Sequence, residues 1–196
     1  MRVNRRLSRA ASAAMASVLA LAVVAVAQTG SDSRLSNIRI KNFGKVNDKF
    51  YRGSQPSRRD YADLKALGVK TVIDLQQDGE ASEQQDVEDA GMKFYRIGLS
   101  DSSWPAPEKT EQFLKLVNDP ANQPVFIHCH GGRHRAGTMT AIYRITHDKW
   151  SADQAFAEMK RYEFERGFGH GTLKDYVYEY AQKSQKSIVV DAGTSK

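Results

Sequence analysis

The sequence contains a single cysteine, Cys129, so it cannot form an intrachain disulfide. It has only five prolines and 14 glycines among 196 residues, too few for a collagen-like or low-complexity chain. It also lacks any internal repeat. With 40% hydrophobic and 27% charged residues, a chain of this length is expected to fold as one domain around one core.

A broad excess of positive charge is also missing, although the formal net charge is +6. Four of the 29 basic residues are arginines within the first nine positions. The other 25 basic residues face 23 acidic ones, and this balance does not predict the positive surface that nucleic-acid binding requires. We therefore expect no nucleic acid among the partners.

The one long hydrophobic run covers residues 10–27. It follows the segment 1–9, which contains the four arginines, and it ends with the small residues Ala25 and Ala27. This pattern is typical of a signal peptide, so we expect cleavage after Ala27 and export to the periplasm or the medium. A pair of arginines in the basic segment weakly favours twin-arginine export. The alternative is an uncleaved anchor, because an uncharged run of 18 residues lies at the short limit of a spanning helix. After cleavage we expect no stable membrane association.

The rest of the chain alternates between strand-like and helix-like segments. Val69–Leu75 is almost continuously apolar, as in a strand buried on both faces. Pro107 favours a helix start, and Ser151 with Gln154 forms a capping box. This alternation predicts an α/β fold: a single domain with a mostly parallel central sheet of four to five strands flanked by helices. The predicted segments are a signal peptide (1–27), a lead segment (28–41), the domain (42–183) and a flexible C-terminal tail (184–196).

A glycine-containing turn joins a short apolar strand to the next predicted helix. It contains His128 and Cys129 and ends at Arg135, in the pattern His-Cys-x-x-Gly-x-x-Arg. Such a loop at a helix N-terminus turns its N–H groups inward and holds a tetrahedral oxyanion. The same donors stabilise a thiolate, so Cys129 is the expected nucleophile. Arg135 is expected to bind two phosphate oxygens through its guanidinium group. The expected substrate-binding residues are His128, His130, Gly131, Gly132, Arg133 and His134.

This turn resembles the signature of cysteine-dependent protein tyrosine and dual-specificity phosphatases, especially the bacterial atypical dual-specificity-like group. The other segments that resemble this family are Phe50–Pro56, Leu67–Leu75 and Asn122–Ile127. The resemblance covers about residues 42–180 and implies the dual-specificity-like phosphatase fold without a cofactor. It further implies a phosphocysteine intermediate on Cys129, phosphate binding by Arg135 and the loop amides, and tuning of the thiolate by His128.

The resemblance also implies a general acid, an aspartate in the loop after the strand that precedes the turn. Asp101 has that position, so it is expected to protonate the leaving oxygen and later to activate water. Asp74, at another strand end, is the reserve candidate. The Trp104-Pro105 pair is similar to the acid loop of larger tyrosine phosphatases, but Ala106 stands where that loop has its aspartate.

Ala136 departs from the family's pattern, which usually has Ser or Thr directly after the signature arginine. In the family that hydroxyl helps the thiolate to leave in the second step, so slow breakdown of the phosphoenzyme is expected here. Thr138 is not expected to substitute, because a residue two positions further along a helix points elsewhere.

Three other classes compete with a phosphatase. A zinc site in the turn is disfavoured because adjacent strand residues point to opposite faces, so no metal is expected. A rhodanese-like sulfurtransferase also uses a cysteine loop, but the spacing from Gly132 to Arg135 fits a phosphatase better. Ala136 raises the third class, an inactive phosphate-binding pseudoenzyme.

The expected partner is a phosphorylated protein or a small phosphorylated substrate, and the sequence does not indicate an oligomeric state. Phosphotyrosine in proteins is the default expectation for the substrate. The basic side chains of His130, Arg133 and His134 favour an alternative, an inositol polyphosphate.

Overall fold

The computed structural model describes residues 35–167 and 169–193. The predicted signal peptide (1–27), the first part of the lead segment and the last three residues of the predicted tail lie outside these ranges. The described chain forms two units. Leu35–Ile38 is a short turn in the first unit, and the second begins at Arg39 and contains the sheet. In the described chain, no helix is both long and apolar enough to cross a membrane.

The second unit is a single α/β domain around a five-stranded sheet, which confirms the predicted fold class. Four strands are parallel, and the first lies antiparallel at one edge. The order across the sheet is β1-β2-β5-β3-β4. The strands are β1 (Gly44–Asn47), β2 (Phe50–Ser54), β3 (Thr71–Gln76), β4 (Lys93–Leu99) and β5 (Val125–Cys129).

Six helices surround the sheet in the described chain, and the sequence signals mark several of their ends. The helices are α1 (Asp60–Ala66), α2 (Glu83–Asp89), α3 (Pro107–Asn118), α4 (Arg135–His147), α5 (Ala152–Arg161) and α6 (Gly171–Gly193). Pro107 is the first residue of α3, as predicted. The Ser151 hydroxyl accepts from the backbone amide of Gln154 at 3.2 Å, and the side-chain Oε1 of Gln154 accepts from the backbone amide of Ser151 at 2.9 Å. The capping box is therefore confirmed.

The last helix is longer than its apolar period indicates. The pattern ends near residue 183, where the flexible tail was expected to begin, yet α6 remains helical to Gly193. A helical backbone by itself neither shows nor excludes mobility. The flexibility of residues 184–196 therefore stays a prediction.

The turn that carries the signature pattern is positioned by β5 and α4, two elements that are largely buried in the domain. All five residues of β5 are buried, and β5 pairs with a parallel strand on each side. Helix α4 packs Ala136 and Met139 toward the sheet and Ala141 and Ile145 toward α5 and α6. Because interiors are close-packed, a turn between two such elements has little freedom to move.

Candidate active site

The signature turn, residues 130–134, is held from outside through its backbone carbonyls. The carbonyl of His130 accepts from the Gln55 amide at 3.2 Å, and that of Gly131 accepts from Asn42 Nδ2 at 2.8 Å. The carbonyl of Gly132 accepts from the buried side chain of Arg52. Carbonyls fixed outward leave the inner side of the turn to the amide groups, the arrangement that anion binding requires.

Gly132 is required by both its conformation and its surroundings. Its φ is +66°, and a Cβ there would lie 2.5 Å from the carbonyl carbon of Gly53 in β2. No side chain fits so close an approach, so this glycine allows the turn to lie against the neighbouring strand.

Cys129 is the last residue of β5, at the base of the turn. Its side chain is 3% exposed and packs with Ala136 and Met139 of α4. In β2, Ser54 lies beside it in the parallel register. The thiol therefore stands at the carboxyl end of the sheet and directly before a helix N-terminus, where ligand sites of α/β sheets are found.

Arg135, the first residue of α4, lines a cleft of about 550 Å³ together with Asp101 and His130. Its Nη1 donates to the carbonyl of Leu99 at 3.4 Å, and its buried Nε has no hydrogen-bond partner among the described residues. The Asp101 side chain is exposed. The backbone carbonyl of Asp101 accepts from His170 Nδ1 at 3.1 Å. The structure thus brings the predicted arginine and the predicted acid to one cleft.

Two further acids line the same cleft, Asp78 and Glu80, which were not predicted from the sequence. They follow the carboxyl end of β3 around Gly79. The rule that active residues follow parallel strands would have included them. The reserve candidate Asp74 is fully buried, and its Oδ2 lies 2.8 Å from Arg96 Nε.

His128 does not face the cleft, although it was predicted to contact substrate; it is fully buried beneath the turn. Its Nε2 lies 2.8 Å from Glu83 Oε1, which also accepts from the Tyr61 hydroxyl and from Gln55 Nε2 at 2.8 Å each. Burial alone would raise the pKa of Glu83, but these partners hold that pKa below its ordinary value. Glu83 therefore presents a buried negative charge to the histidine before Cys129.

The same buried cluster does not fit a metal ion. Asp74, Glu83 and His128 bring ligand atoms within 4.8 Å of one another. However, Arg96 Nη2 lies 3.6 Å from Glu83 Oε2, and Arg96 Nε is bound to Asp74. The guanidinium already supplies the positive charge that two buried carboxylates need.

Two basic residues of the turn, His130 and Arg133, line a second cleft of about 720 Å³, beside the first. His130 lines both clefts. Arg133 Nε lies 2.9 Å from Glu163 Oε2, and Arg166 Nη1 lies 2.8 Å from Glu163 Oε1. Arg39 and Lys41 also line this cleft, so cations outnumber the acids there.

His134 connects the turn to the segment that precedes α6. Its ring stacks on that of His170 with centroids 3.3 Å apart, and its Nε2 donates to the carbonyl of Arg166 at 3.1 Å. Burial and the neighbouring His170 lower the pKa of His134. Because His170 also binds the carbonyl of Asp101, the histidine pair joins the turn to the loop of the predicted acid.

The Trp104-Pro105 pair lies outside the cleft of Arg135. Trp104 is 47% exposed, and its ring meets that of Tyr176 edge-on at 5.7 Å in a groove between α3 and α6. The pair is similar in sequence to the acid loop of larger tyrosine phosphatases, but it does not lie at the cleft where such a loop would act.

The sequence is similar to a phosphatase family model and to known phosphatases. Residues 22–174 match the family model described as "DSP-PTPase phosphatase fused to NAD+ Kinase". The chain is 32% identical over 126 residues to the "Probable tyrosine-protein phosphatase DG1060" of Dictyostelium discoideum, covering 62% of this chain and 75% of that protein. It is 30% identical over 130 residues to the inositol diphosphatase SIW14 of Saccharomyces cerevisiae, covering 63% of this chain and 46% of that protein.

The fold is also similar to a solved structure, the core catalytic domain of the PP-IP phosphatase SIW14 in complex with citrate. The TM-score is 0.64 at 25% identity, over 79% of this chain and 94% of that domain. The fold and the turn together define a cysteine-dependent phosphatase of the tyrosine or dual-specificity type. The chain belongs to the family of dual-specificity-type (DSP) protein tyrosine phosphatases.

Proposed function

We propose that the chain hydrolyses phosphate monoesters through a phosphocysteine intermediate on Cys129. The observation that carries the proposal is the placement of Cys129 at the base of a turn that leads into Arg135 and a cleft shared with Asp101. The helix N-terminus and the turn amides provide the positive field in which a thiolate and a phosphate dianion are both stable.

In the first step, the sulfur of Cys129 attacks phosphorus and forms the P–S bond. The ester P–O bond breaks, and the leaving oxygen takes a proton from the carboxyl group of Asp101. Arg135 binds two non-bridging oxygens, because its planar fork matches the three equatorial oxygens of the transferring phosphoryl group.

In the second step, the Asp101 carboxylate takes a proton from water, whose oxygen attacks phosphorus. The P–S bond breaks, its electron pair returns to the sulfur, and inorganic phosphate leaves. Ala136 offers no hydroxyl to the departing thiolate, and the Thr138 hydroxyl donates to the carbonyl of His134 at 2.9 Å. Neither residue therefore supplies a hydroxyl to the departing thiolate.

A small aryl phosphate tests the proposal. The wild-type chain is expected to turn it over without added metal, while Cys129→Ser, which replaces the thiol by a much weaker nucleophile, is expected to be inactive. Thiosulfate sulfurtransferase activity in place of phosphatase activity would favour the rhodanese-like alternative. Turnover that survives Cys129→Ser would contradict the proposed nucleophile.

Two substrate classes suit this site. Phosphotyrosine in proteins is the first, supported by the relative DG1060, which is 32% identical and bears the name of a probable tyrosine-protein phosphatase. Inositol phosphates with several phosphate groups are the second, supported by the basic second cleft and by SIW14, which is named an inositol diphosphatase. His130 lines both clefts. A substrate with one phosphate on Arg135 would therefore extend past His130 and place further phosphates near Lys41 and Arg133.

A paired substrate screen separates the two classes. Phosphotyrosine peptides and phytate are compared on the wild type and on Lys41→Gln, with Lys70→Gln at the opposite end of the sheet as the control. If inositol phosphates are the substrate, Lys41→Gln raises KM for phytate more than for the peptide, and Lys70→Gln changes neither. An equal effect of both variants would count against the second cleft as a binding site.

A further inference from the structure

Arg52, in the middle of β2, is a buried cation without a carboxylate partner. Its exposed fraction is 0%, and no described carboxylate lies within ion-pair distance of its guanidinium. Glu158, whose charge reaches it from further away, is paired with Arg144 at 2.8 Å. A buried charge without a partner is costly, so such residues are rare unless another charge nearby compensates them.

The contacts of Arg52 hold it directly behind the signature turn. Its Nη2 donates to the carbonyl of Gly132, and its guanidinium carbon lies 4.1 Å from the ring centroid of Tyr162. Its Nε and Nη1 are buried and have no hydrogen-bond partner among the described residues. A neutral carbonyl and an aromatic face leave most of the positive charge uncompensated.

Cys129 lies on the same face of the sheet as Arg52, two register positions further along. The parallel register sets Arg52 beside Ile127 and Ser54 beside Cys129, and residues two apart in a strand share a face. Burial lowers the pKa of Arg52 to about 10, and nearby ionisable groups, Cys129 among them, act in the opposite direction. Arg52 is therefore charged at neutral pH, and an ionised Cys129 offsets its burial.

We propose that Arg52 is the positioning residue that stabilises the Cys129 thiolate from behind the signature turn. This inference rests on the proposed function, in which that thiolate attacks phosphorus. Arg52 is fully buried and does not line the cleft of Arg135, so it does not exchange a proton or touch the phosphate. Its charge acts on the sulfur, and its hydrogen bond to Gly132 fixes the turn around it.

Arg52 also acts on the sulfur in the second step. When water displaces the sulfur, the electron pair of the P–S bond returns to Cys129 as negative charge. In this chain Ala136 cannot donate a hydrogen bond to that charge. A fixed cation already lies on the same sheet face, so the departing thiolate is stabilised without any rearrangement.

Two variants separate the effect of the charge of Arg52 from the effect of its hydrogen bond. Arg52→Lys keeps the charge, and Arg52→Gln keeps an N–H donor for the Gly132 carbonyl but removes the charge. Because Cys129 is the only cysteine, the rate of its alkylation by iodoacetamide against pH reports its ionisation directly. The full chain is used, and Arg161→Gln, at an exposed arginine of α5, is the control.

The expected midpoint pH of alkylation is raised by about one unit or more in Arg52→Gln. It stays near the wild-type value in Arg52→Lys and is unchanged in Arg161→Gln. A midpoint in Arg52→Gln equal to that of the wild type overturns the inference. If Arg52→Gln does not fold cooperatively, Arg52→Lys decides alone, because a midpoint near the ordinary thiol value of about 8.5 in that variant also overturns it.

Burst kinetics supply a second readout that a structural role would not move. Loss of the charge is expected to slow phosphocysteine breakdown, and Ala136→Ser in the Arg52→Gln background is expected to restore part of that rate. Alkylation is measured without substrate, so the two hypotheses fail differently. A high midpoint in the wild type contradicts the proposed function, whereas a low midpoint that is the same in Arg52→Gln contradicts only the role of Arg52.

Discussion

Asp101 and Asp78 are both exposed acids on the cleft of Arg135, and they follow neighbouring strands of the sheet. We expect Asp101→Asn to lower kcat on alkyl phosphates by about a hundredfold or more, because their leaving oxygen needs a proton. The loss is expected to be small on aryl phosphates with acidic leaving groups. The measurement is the pH–rate profile on both substrate types.

Asp78→Asn is the matched control, since it makes the same change on the same cleft. If Asp78→Asn removes the dependence on the leaving group and Asp101→Asn does not, the acid is Asp78. Sequence position alone could not separate the two, because it fixes which strand a residue follows but not how far its side chain reaches.

Asp74 shows a second limit of sequence reasoning at single residues. Its position at the end of β3 made it a candidate acid, and nothing in the local sequence showed that Arg96 from β4 would bind it. The same holds for His128, whose partner Glu83 lies 45 positions away in the chain. Contacts between distant segments depend on how strands and helices pack, and a single sequence does not state this.

The turn before α4 depends on Gly132. We expect Gly132→Ala to reduce the free energy of unfolding by about 2 kcal/mol or more, because its φ is +66° and its Cβ would collide with β2. Phosphatase activity is expected to fall as well, since the loop amides would be displaced. Urea unfolding and kcat/KM on one aryl phosphate measure both effects.

Gly131→Ala is the neighbouring control. A Cβ at Gly131 would have its nearest contact at 3.7 Å, on the side chain of Arg133, and its φ is not positive. Its effect on unfolding is expected to stay within about 0.5 kcal/mol. Equal destabilisation by the two substitutions would show that the turn does not depend on the approach of Gly132 to β2.

Burial of His134 and its stacking on His170 predict that stability depends on pH. The pKa of His134 is lowered in the folded chain, so as pH falls below about 6.5 the unfolded chain binds a proton that the folded chain does not. We therefore expect the free energy of unfolding to fall on acidification in this range. Urea unfolding near pH 7.5 and pH 5.5 measures it.

His134→Gln is expected to reduce this acid-dependent fall, and His130→Gln, at an exposed histidine of the same turn, is expected to leave it unchanged. His170→Asn should also reduce it, because the neighbouring ring is one cause of the lowered pKa of His134. If His134→Gln shows the full wild-type dependence, the pair is not its source.

Among the secondary-structure elements, those with strong periodicity or end signals could be predicted, and short or marginal ones could not. The buried strand around Val72, the capping box at Ser151 and the proline start of α3 were all found from local sequence. Strand β1 was missed because it has four residues, Gly-Lys-Val-Asn, without a clear apolar alternation. It forms because it pairs with β2 at the edge of the sheet.

For the whole molecule, we propose export directed by residues 1–27, which the structure does not describe. Expressed in a Gram-negative bacterium, the full chain is expected in the periplasm or medium with Gln28 as its first residue. Mass spectrometry of the fractionated protein checks this. Ala27→Trp is expected to block cleavage, because the site requires a small residue. Intact wild-type chain in the membrane fraction would instead indicate the uncleaved anchor.

The central claim is that the sulfur of Cys129 becomes covalently phosphorylated during turnover. The most direct test mixes the full chain with an aryl phosphate, quenches it with acid within the first turnover, and locates the phosphoryl group by peptide mass spectrometry. The account predicts phosphate on Cys129 in the wild type, more of it in Asp101→Asn with an aryl substrate, and none in Cys129→Ser. Rapid turnover with the phosphoryl group on another residue, or on none, would contradict it.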